Sequence, residues 1–184
     1  MSTRPTFNTL DWAAVEHHLD ADGFAMTPPL LSPEQCAELV AMVDDDARFR
    51  STVVMARHAF GEGSYRYFAD PLPPLVHALR SQLYPPIAAI ANRWAQRLGE
   101  RPFPDTLDAL LDECAGVGQH KPTPLVLRYG PGGYNCLHQD VYGGLTFPLQ
   151  FRHHRYHRVQ TRHGVSAVHS GDRHVLGVIF HNAR

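Results

Sequence analysis

The sequence has little of several features that mark specialised proteins. Its three cysteines, Cys36, Cys114 and Cys136, are too few and too scattered for a disulfide framework or a CxxC zinc site. No apolar run approaches the ~18 residues of a membrane-spanning helix, and the first residues lead into no apolar signal segment. The 17 lysines and arginines nearly balance 18 acidic residues, which argues against a general polyanion binder. We therefore expect a soluble, cytoplasmic protein with no membrane partner.

The charge is unevenly distributed along a chain that can bury a substantial core. The 184 residues are 43% hydrophobic and 19% charged, typical of one globular unit. Residues 151–184 hold seven histidines, six arginines and one acid, a formal charge of +5. Since the whole chain carries −1, residues 1–150 carry −6. This asymmetry indicates either an anionic ligand or partner near the C-terminal part or simply a solvated basic face.

Helices are predicted mainly in the front part of the chain. Ser32 can cap a helix that begins at Pro33, and Gln35 can complete the capping box. Apolar spacing predicts further helices at 8–20, 75–83, 87–98 and 105–114, the last of these capped by Asp105. A strand is expected at 23–26, and a hairpin is expected to join 53–55 with 65–68.

Strands are predicted to dominate after Pro122, at 125–129, 135–141, 145–151 and 175–180. Helices followed by strands favour an α+β fold over alternating βαβ units. We expect one domain over 1–184, with a helical support region at 1–120 and a β core at 121–184.

The His138-Gln139-Asp140 motif is the main candidate for chemistry. Residues two apart in a strand point to the same face, so the imidazole and the carboxylate can converge. Two histidines with one carboxylate form the facial triad of non-heme Fe(II) oxygenases, which requires one more histidine. By itself HxD is a weak signal, because any strand can contain it by chance.

A second motif raises the significance of the first. Residues 163–176 read H-x-V-x-x-V-x-x-G-x-R-x-x-L, and residues 129–140 contain Y-x-x-G followed by H-x-D. With both motifs the chain resembles the Fe(II)/2-oxoglutarate-dependent dioxygenases, especially the prolyl-4-hydroxylase-like branch. The nearest resemblance is to bacterial members described as nucleic-acid oxygenases and proposed to act on damaged DNA.

The resemblance implies roles for five residues. His138, Asp140 and His163 would hold Fe(II), while Arg173 would pair with the 5-carboxylate of 2-oxoglutarate and Tyr129 would face the same cosubstrate. The planar guanidinium of an arginine suits a carboxylate because it can donate two charge-assisted hydrogen bonds.

The implied fold is a helical N-terminal part packed on a double-stranded β-helix of the jelly-roll or cupin-like type. The implied reaction consumes dioxygen and 2-oxoglutarate, releases succinate and carbon dioxide, and hydroxylates or oxidatively dealkylates a substrate. A damaged nucleic acid and a protein side chain both fit as that substrate. The resemblance leaves the oligomeric state open.

The spacing between the two motifs departs from that family. Only 22 residues separate Asp140 from His163, whereas four intervening strands with their turns need at least ~35. We therefore expect an incomplete barrel, produced by an internal deletion, a disrupted gene or a trimmed sequence. Whether His163 reaches the other two ligands is then open.

Two alternatives follow from these residues. The chain could be a catalytically dead or truncated dioxygenase-derived binding module, because the middle strands are missing. A zinc hydrolytic site on the same histidines is less favoured, since Arg173 would then have no carboxylate to hold. His153, His154 and His157 are either extra ligands of a loose metal site or part of an anion-facing segment.

Overall fold

Helices and antiparallel sheets make up the protein, as the predicted α+β class requires. The computed structural model describes residues 10–139, 149–152, 155–158 and 162–180. The helices are α1 (Trp12–Asp22), α2 (Pro33–Ala41), α3 (Pro74–Leu98) and α4 (Leu107–Gly116). The strands are β1 (Phe49–Val54), β2 (Gly61–Glu62), β3 (Ser64–Phe68), β4 (Leu125–Tyr129), β5 (Tyr134–His138), β6 (Leu149–Arg152), β7 (Arg155–Arg158), β8 (His163–Val165) and β9 (Arg173–Gly177). None of the helices in these ranges is long and apolar enough to cross a membrane.

Helix α2 begins as the sequence predicts. The Gln35 backbone N–H donates to Ser32 Oγ at 3.3 Å, and the Gln35 side-chain oxygen accepts from the Ser32 backbone at 2.9 Å. Helix α4 begins at a different cap from the predicted one. Thr106, not Asp105, accepts from the Ala109 backbone N–H, so the helix starts two residues later than expected.

Residues 23–26 form no strand, and that prediction is wrong. Gly23 adopts the left-handed conformation with φ of 80°, and its N–H bonds to the Leu19 carbonyl to end α1. Phe24 and Met26 are 61% and 86% exposed. A short apolar run becomes a strand only when a partner strand covers it, and the local sequence carries no information about that partner.

The two helices predicted at 75–83 and 87–98 are one helix, α3. Pro85 and Pro86 lie inside it, although proline normally interrupts a helix by removing an N–H donor. Packing against α4 accounts for the continuity. Tyr84 is only 2% exposed and donates its hydroxyl hydrogen to the Pro104 carbonyl at 2.7 Å, while Ala88 is buried in the same cluster.

In the described ranges, three antiparallel sheets organise the strands. The largest has the order β1-β3-β4-β9, the second the order β2-β5-β8, and β6 pairs with β7 alone. The predicted hairpin is confirmed as the β1/β3 pair, with a 3-10 turn at Met55–His58 and β2 in the connection. Strands β4, β5 and β9 match predicted segments to within a few residues, and part of 145–151 lies outside the described residues. Strands β2, β7 and β8 were not predicted.

The four-stranded sheet uses its two faces differently. One face packs on α2 and α3 through Phe68, Val76, Leu79 and Val126, which are all at most 5% exposed. Because side chains alternate along a strand, the neighbours of Val126 point the other way. That second face lines the cavity described below.

We expect Phe68→Ala to destabilise the fold by about 3–5 kcal/mol, because it removes a ring that is 1% exposed. The matched control Phe24→Ala should change the free energy of unfolding by less than about 0.5 kcal/mol, because that ring is 61% exposed. Urea unfolding followed by circular dichroism measures both variants. Equal losses in the two would contradict the position of the core.

Candidate active site

Two of the predicted metal ligands lie side by side. His138 ends β5 and His163 begins β8, and the two residues are partners in the antiparallel register. Their ring centroids are 4.3 Å apart with an interplanar angle of 57°. The short spacing between Asp140 and His163 did not predict whether His163 would reach His138. The two residues meet because β8 pairs directly with β5. Among the described strands, the intervening β6 and β7 pair only with each other.

Gly164 allows β8 to approach β5 this closely. A Cβ atom at this position would lie 2.9 Å from the Asn135 carbonyl oxygen and 3.3 Å from the Cys136 carbonyl carbon. Both of those atoms belong to the backbone of β5 and cannot move aside as a side chain would. A larger residue at 164 would therefore push His163 away from His138.

A backbone hydrogen bond sets the tautomer of His138. Its Nδ1 lies 2.8 Å from the Cys136 carbonyl oxygen, and a carbonyl can only accept, so Nδ1 carries the proton in the neutral ring. The lone pair is then on Nε2. Metal-binding histidines commonly have this arrangement, because a bond on one nitrogen orients the other toward the ion.

Asp140, the third predicted ligand, lies outside the described residues. Within the described ranges, no group of three or more histidine, cysteine, aspartate or glutamate side chains could hold a metal ion. His138 and His163 supply two imidazoles, which suit iron as well as zinc, copper or nickel. The donor chemistry therefore fits Fe(II) if the carboxylate comes from Asp140.

Tyr129 and Arg173, the predicted 2-oxoglutarate residues, are partners across the β4/β9 pair. Tyr129 is fully buried, whereas Arg173 is exposed. Burial raises the pKa of the Tyr129 phenol, and a side-chain hydrogen bond from Asn135 and the charge of Arg173 act in the opposite direction. The phenol is therefore neutral at physiological pH and can donate a hydrogen bond.

A cavity of about 620 Å³ lies between the larger sheet and the β5/β8 pair. His138, His163 and Tyr129 are among its lining residues, and Arg173 is not. Much of the remaining wall is apolar or aromatic: Met55, Phe60, Tyr65, Tyr67, Leu125, Leu127, Leu137, Val165, Val175 and Ile179. The cavity thus combines a pair of metal-type donors with surfaces that fit an apolar or planar group.

Sequence reasoning did not identify the aromatic part of this wall. Tyr65 and Tyr67 lie two residues apart on β3, pair with Leu127 and Leu125 of β4, and share one face of the sheet. Their alternation was visible in the sequence and could have indicated a common face. Phe60 follows the 3-10 turn, and no local pattern placed it at the cavity.

A comparison with known protein families identifies the class of this protein. Residues 63–154 and 151–183 match a family of oxygenases described as catalysing oxidative methylation of damaged DNA. The match covers more than half of the chain, so the chain belongs to this family.

Its curated relatives include two uncharacterized proteins from two strains of Mycobacterium tuberculosis. Each is 33% identical over 167 residues, covering 63% of this chain and 72% of the relative. No solved structure matches.

The relatives are longer than this chain within the aligned region. Because 63% of 184 residues is about 116, about 50 of the 167 aligned positions have no counterpart here. The family match also breaks into two segments that meet at residues 151–154. Both observations agree with the prediction that a segment is missing after Gln150.

The buried position of Tyr129 predicts how it titrates. Its raised pKa means that the neutral phenol contributes stability that is fully present below pH about 10, the unfolded value, and that is lost as the pH rises through the folded value. The difference in phenolate absorbance between wild type and Tyr129→Phe should therefore show a step above pH 10. As the pH rises above 10, the free energy of unfolding of Tyr129→Phe should also fall less than that of the wild type. A difference step at or below pH 10 would contradict the burial.

Proposed function

We propose that the protein is an Fe(II)- and 2-oxoglutarate-dependent dioxygenase whose metal is held by His138, Asp140 and His163. The observation that carries the proposal is the pairing of two imidazoles across β5 and β8, with ring centroids 4.3 Å apart. Family membership supports the oxygenase class. Two antiparallel sheets that share one cavity support a shortened double-stranded β-helix as the scaffold.

The cofactors supply the oxidation when bound: dioxygen is reduced, 2-oxoglutarate loses carbon dioxide to give succinate, and one substrate C–H bond becomes C–OH. The protein positions these partners. The Cys136 carbonyl orients the His138 ring, so that Nε2 presents its lone pair. Arg173 is not among the lining residues, but strand alternation puts it on the same face of β9 as Val175, which does line the cavity, so its guanidinium would be available to a carboxylate beside the neutral Tyr129 phenol.

Part of the wall around such a reaction would be apolar. Leu127 and Val175 are cross-strand partners that line the cavity beside the Tyr129–Arg173 pair. Apolar walls of this kind strengthen electrostatic contacts inside a site and limit side reactions of oxidising species.

A damaged nucleobase is the substrate class that we propose. The family is described as acting on damaged DNA, and Tyr65, Tyr67 and Phe60 give the cavity aromatic surfaces on which a planar base can stack. The basic residues of 151–184 provide charge for the phosphate backbone. Hydroxylation of a carbon attached to nitrogen gives an unstable product that loses an aldehyde, so an N-alkyl lesion would be dealkylated.

His138→Ala should abolish succinate formation, lowering the rate by about 100-fold or more, because it removes a metal ligand. The matched control is His174→Ala on β9. It pairs with Arg128 and, by strand alternation, lies on the opposite face of the sheet from Arg173. The assay follows 2-oxoglutarate turnover with Fe(II) and DNA carrying N-methylated bases. Equal rates in the two variants would contradict the proposed site.

A second candidate function is a binding module that cannot turn over. The observation that favours it is the absence of about 50 positions that the relatives contain. Calorimetry on the same protein distinguishes the oxygenase from the binding module when Mn(II) is used as a non-reactive substitute for Fe(II). An oxygenase site binds 2-oxoglutarate more tightly when the metal is present, and the synergy disappears in His138→Ala. Weak metal binding without synergy, together with no turnover, identifies the binding module.

The nucleic-acid substrate predicts salt-sensitive binding. Affinity for single-stranded DNA should fall roughly 20-fold between about 50 and about 200 mM salt if about three phosphates are contacted. Replacing Arg155 and Arg158 by glutamine should reduce that dependence, because two of the six arginine charges of residues 151–184 are removed. The control Arg101→Gln removes an arginine that is paired with Glu113, so DNA binding should be unchanged. If the wild-type protein does not bind DNA, a protein substrate is favoured instead.

A further inference from the structure

A second cavity lies on the helical side of the protein. Its volume is about 400 Å³, and its walls are formed by α3, α4, the turn at 70–72 and the segment 119–123. It shares no lining residue with the candidate active site. Its size falls within the range of small-molecule sites.

A buried guanidinium forms part of this wall. Arg80 of α3 is only 6% exposed, and its Nη2 donates to Thr123 Oγ1 at 3.1 Å. The Thr123 hydroxyl in turn donates to the Ile179 carbonyl at 2.7 Å, so toward Arg80 it acts as an acceptor. Arg80 Nε is buried and has no hydrogen-bond partner within the part of the chain that the structure describes.

Arg80 also lacks a counter-ion among the described residues. None of their carboxylates forms a salt bridge with it. Burial lowers the pKa of Arg80, as expected for a cation removed from water. An uncompensated buried charge is costly, whereas a carboxylate bound in the cavity beside the guanidinium would supply the missing negative charge.

The rim of the cavity carries the opposite charge. Asp108 and Asp112 lie one turn apart on α4, line the cavity and are exposed. Asp70 is a third exposed acid, and Cys114, Lys121, His77 and His120 complete the titratable lining. A dianion such as phosphate would be repelled by three carboxylates on its way to Arg80. A ligand with a carboxylate at one end and an ammonium group at the other would match both regions.

We propose that this cavity binds a small zwitterionic carboxylate, such as an amino acid, with its carboxylate on Arg80 and its ammonium group facing Asp108 and Asp112. The site is independent of the proposed oxygenase chemistry. It would make the protein responsive to a metabolite that is not its substrate.

The full-length protein can be tested with two zwitterions, glycine and 4-aminobutyrate, which separate their charges by different lengths. Sodium acetate, methylammonium chloride, sodium phosphate and sodium chloride at equal ionic strength are the comparisons. At least one zwitterion should raise the unfolding midpoint by about 2–4 °C at saturating concentration. The same zwitterion should shift the Arg80 Nε–H resonance. The four salts should produce smaller changes in both the unfolding midpoint and this resonance.

Two variants locate the site. Arg80→Met should lose the response, while Arg101→Met, outside the cavity and exposed, should keep it. Asp108→Asn combined with Asp112→Asn alters only exposed side chains, so it tests the proposal even if Arg80→Met fails to fold. This double variant should respond to the zwitterion no more than to acetate. The proposal would be overturned if neither zwitterion raised the unfolding midpoint of the wild type. It would also be overturned if the double variant still responded more strongly to the zwitterion than to acetate.

Discussion

The pairing of β5 with β8 is the contact on which the candidate active site depends. It brings His138 and His163, which are 25 positions apart in the sequence, into one register pair. The pairing in turn needs Gly164, because any side chain at that position would meet the backbone of β5. Separated strands would leave each imidazole alone and would remove one wall of the cavity.

The four-stranded sheet links this site to the rest of the molecule. On one face it packs on the helices through residues such as Phe68 and Val126, which anchor β3 and β4. On the other face the same strands present Tyr67 and Tyr129 to the cavity. The hydrophobic core therefore holds the cavity wall in place, so the position of the site depends on packing outside it.

The two imidazoles lie together although the chain lacks positions that its relatives contain. Relatives contain about 50 further positions within the aligned region, which is more than the four middle strands of a barrel require. In this chain β6 and β7 form a separate pair instead of extending either of the larger sheets.

Local patterns in the sequence were enough to determine the Ser32 cap, the β1/β3 hairpin, strand β4 and the identity of the histidine and arginine motifs. Those features depend on neighbouring residues, since capping and strand alternation act over a few positions. The tertiary structure decided the rest. Helix α3 continues past Pro85 and Pro86 because it is buried against α4. Residues 23–26 form no strand because no strand in the described residues pairs with them. His163 lies beside His138 because two distant strands pair directly. Contacts between residues far apart in the chain control these outcomes, and a single sequence does not encode them in any local pattern.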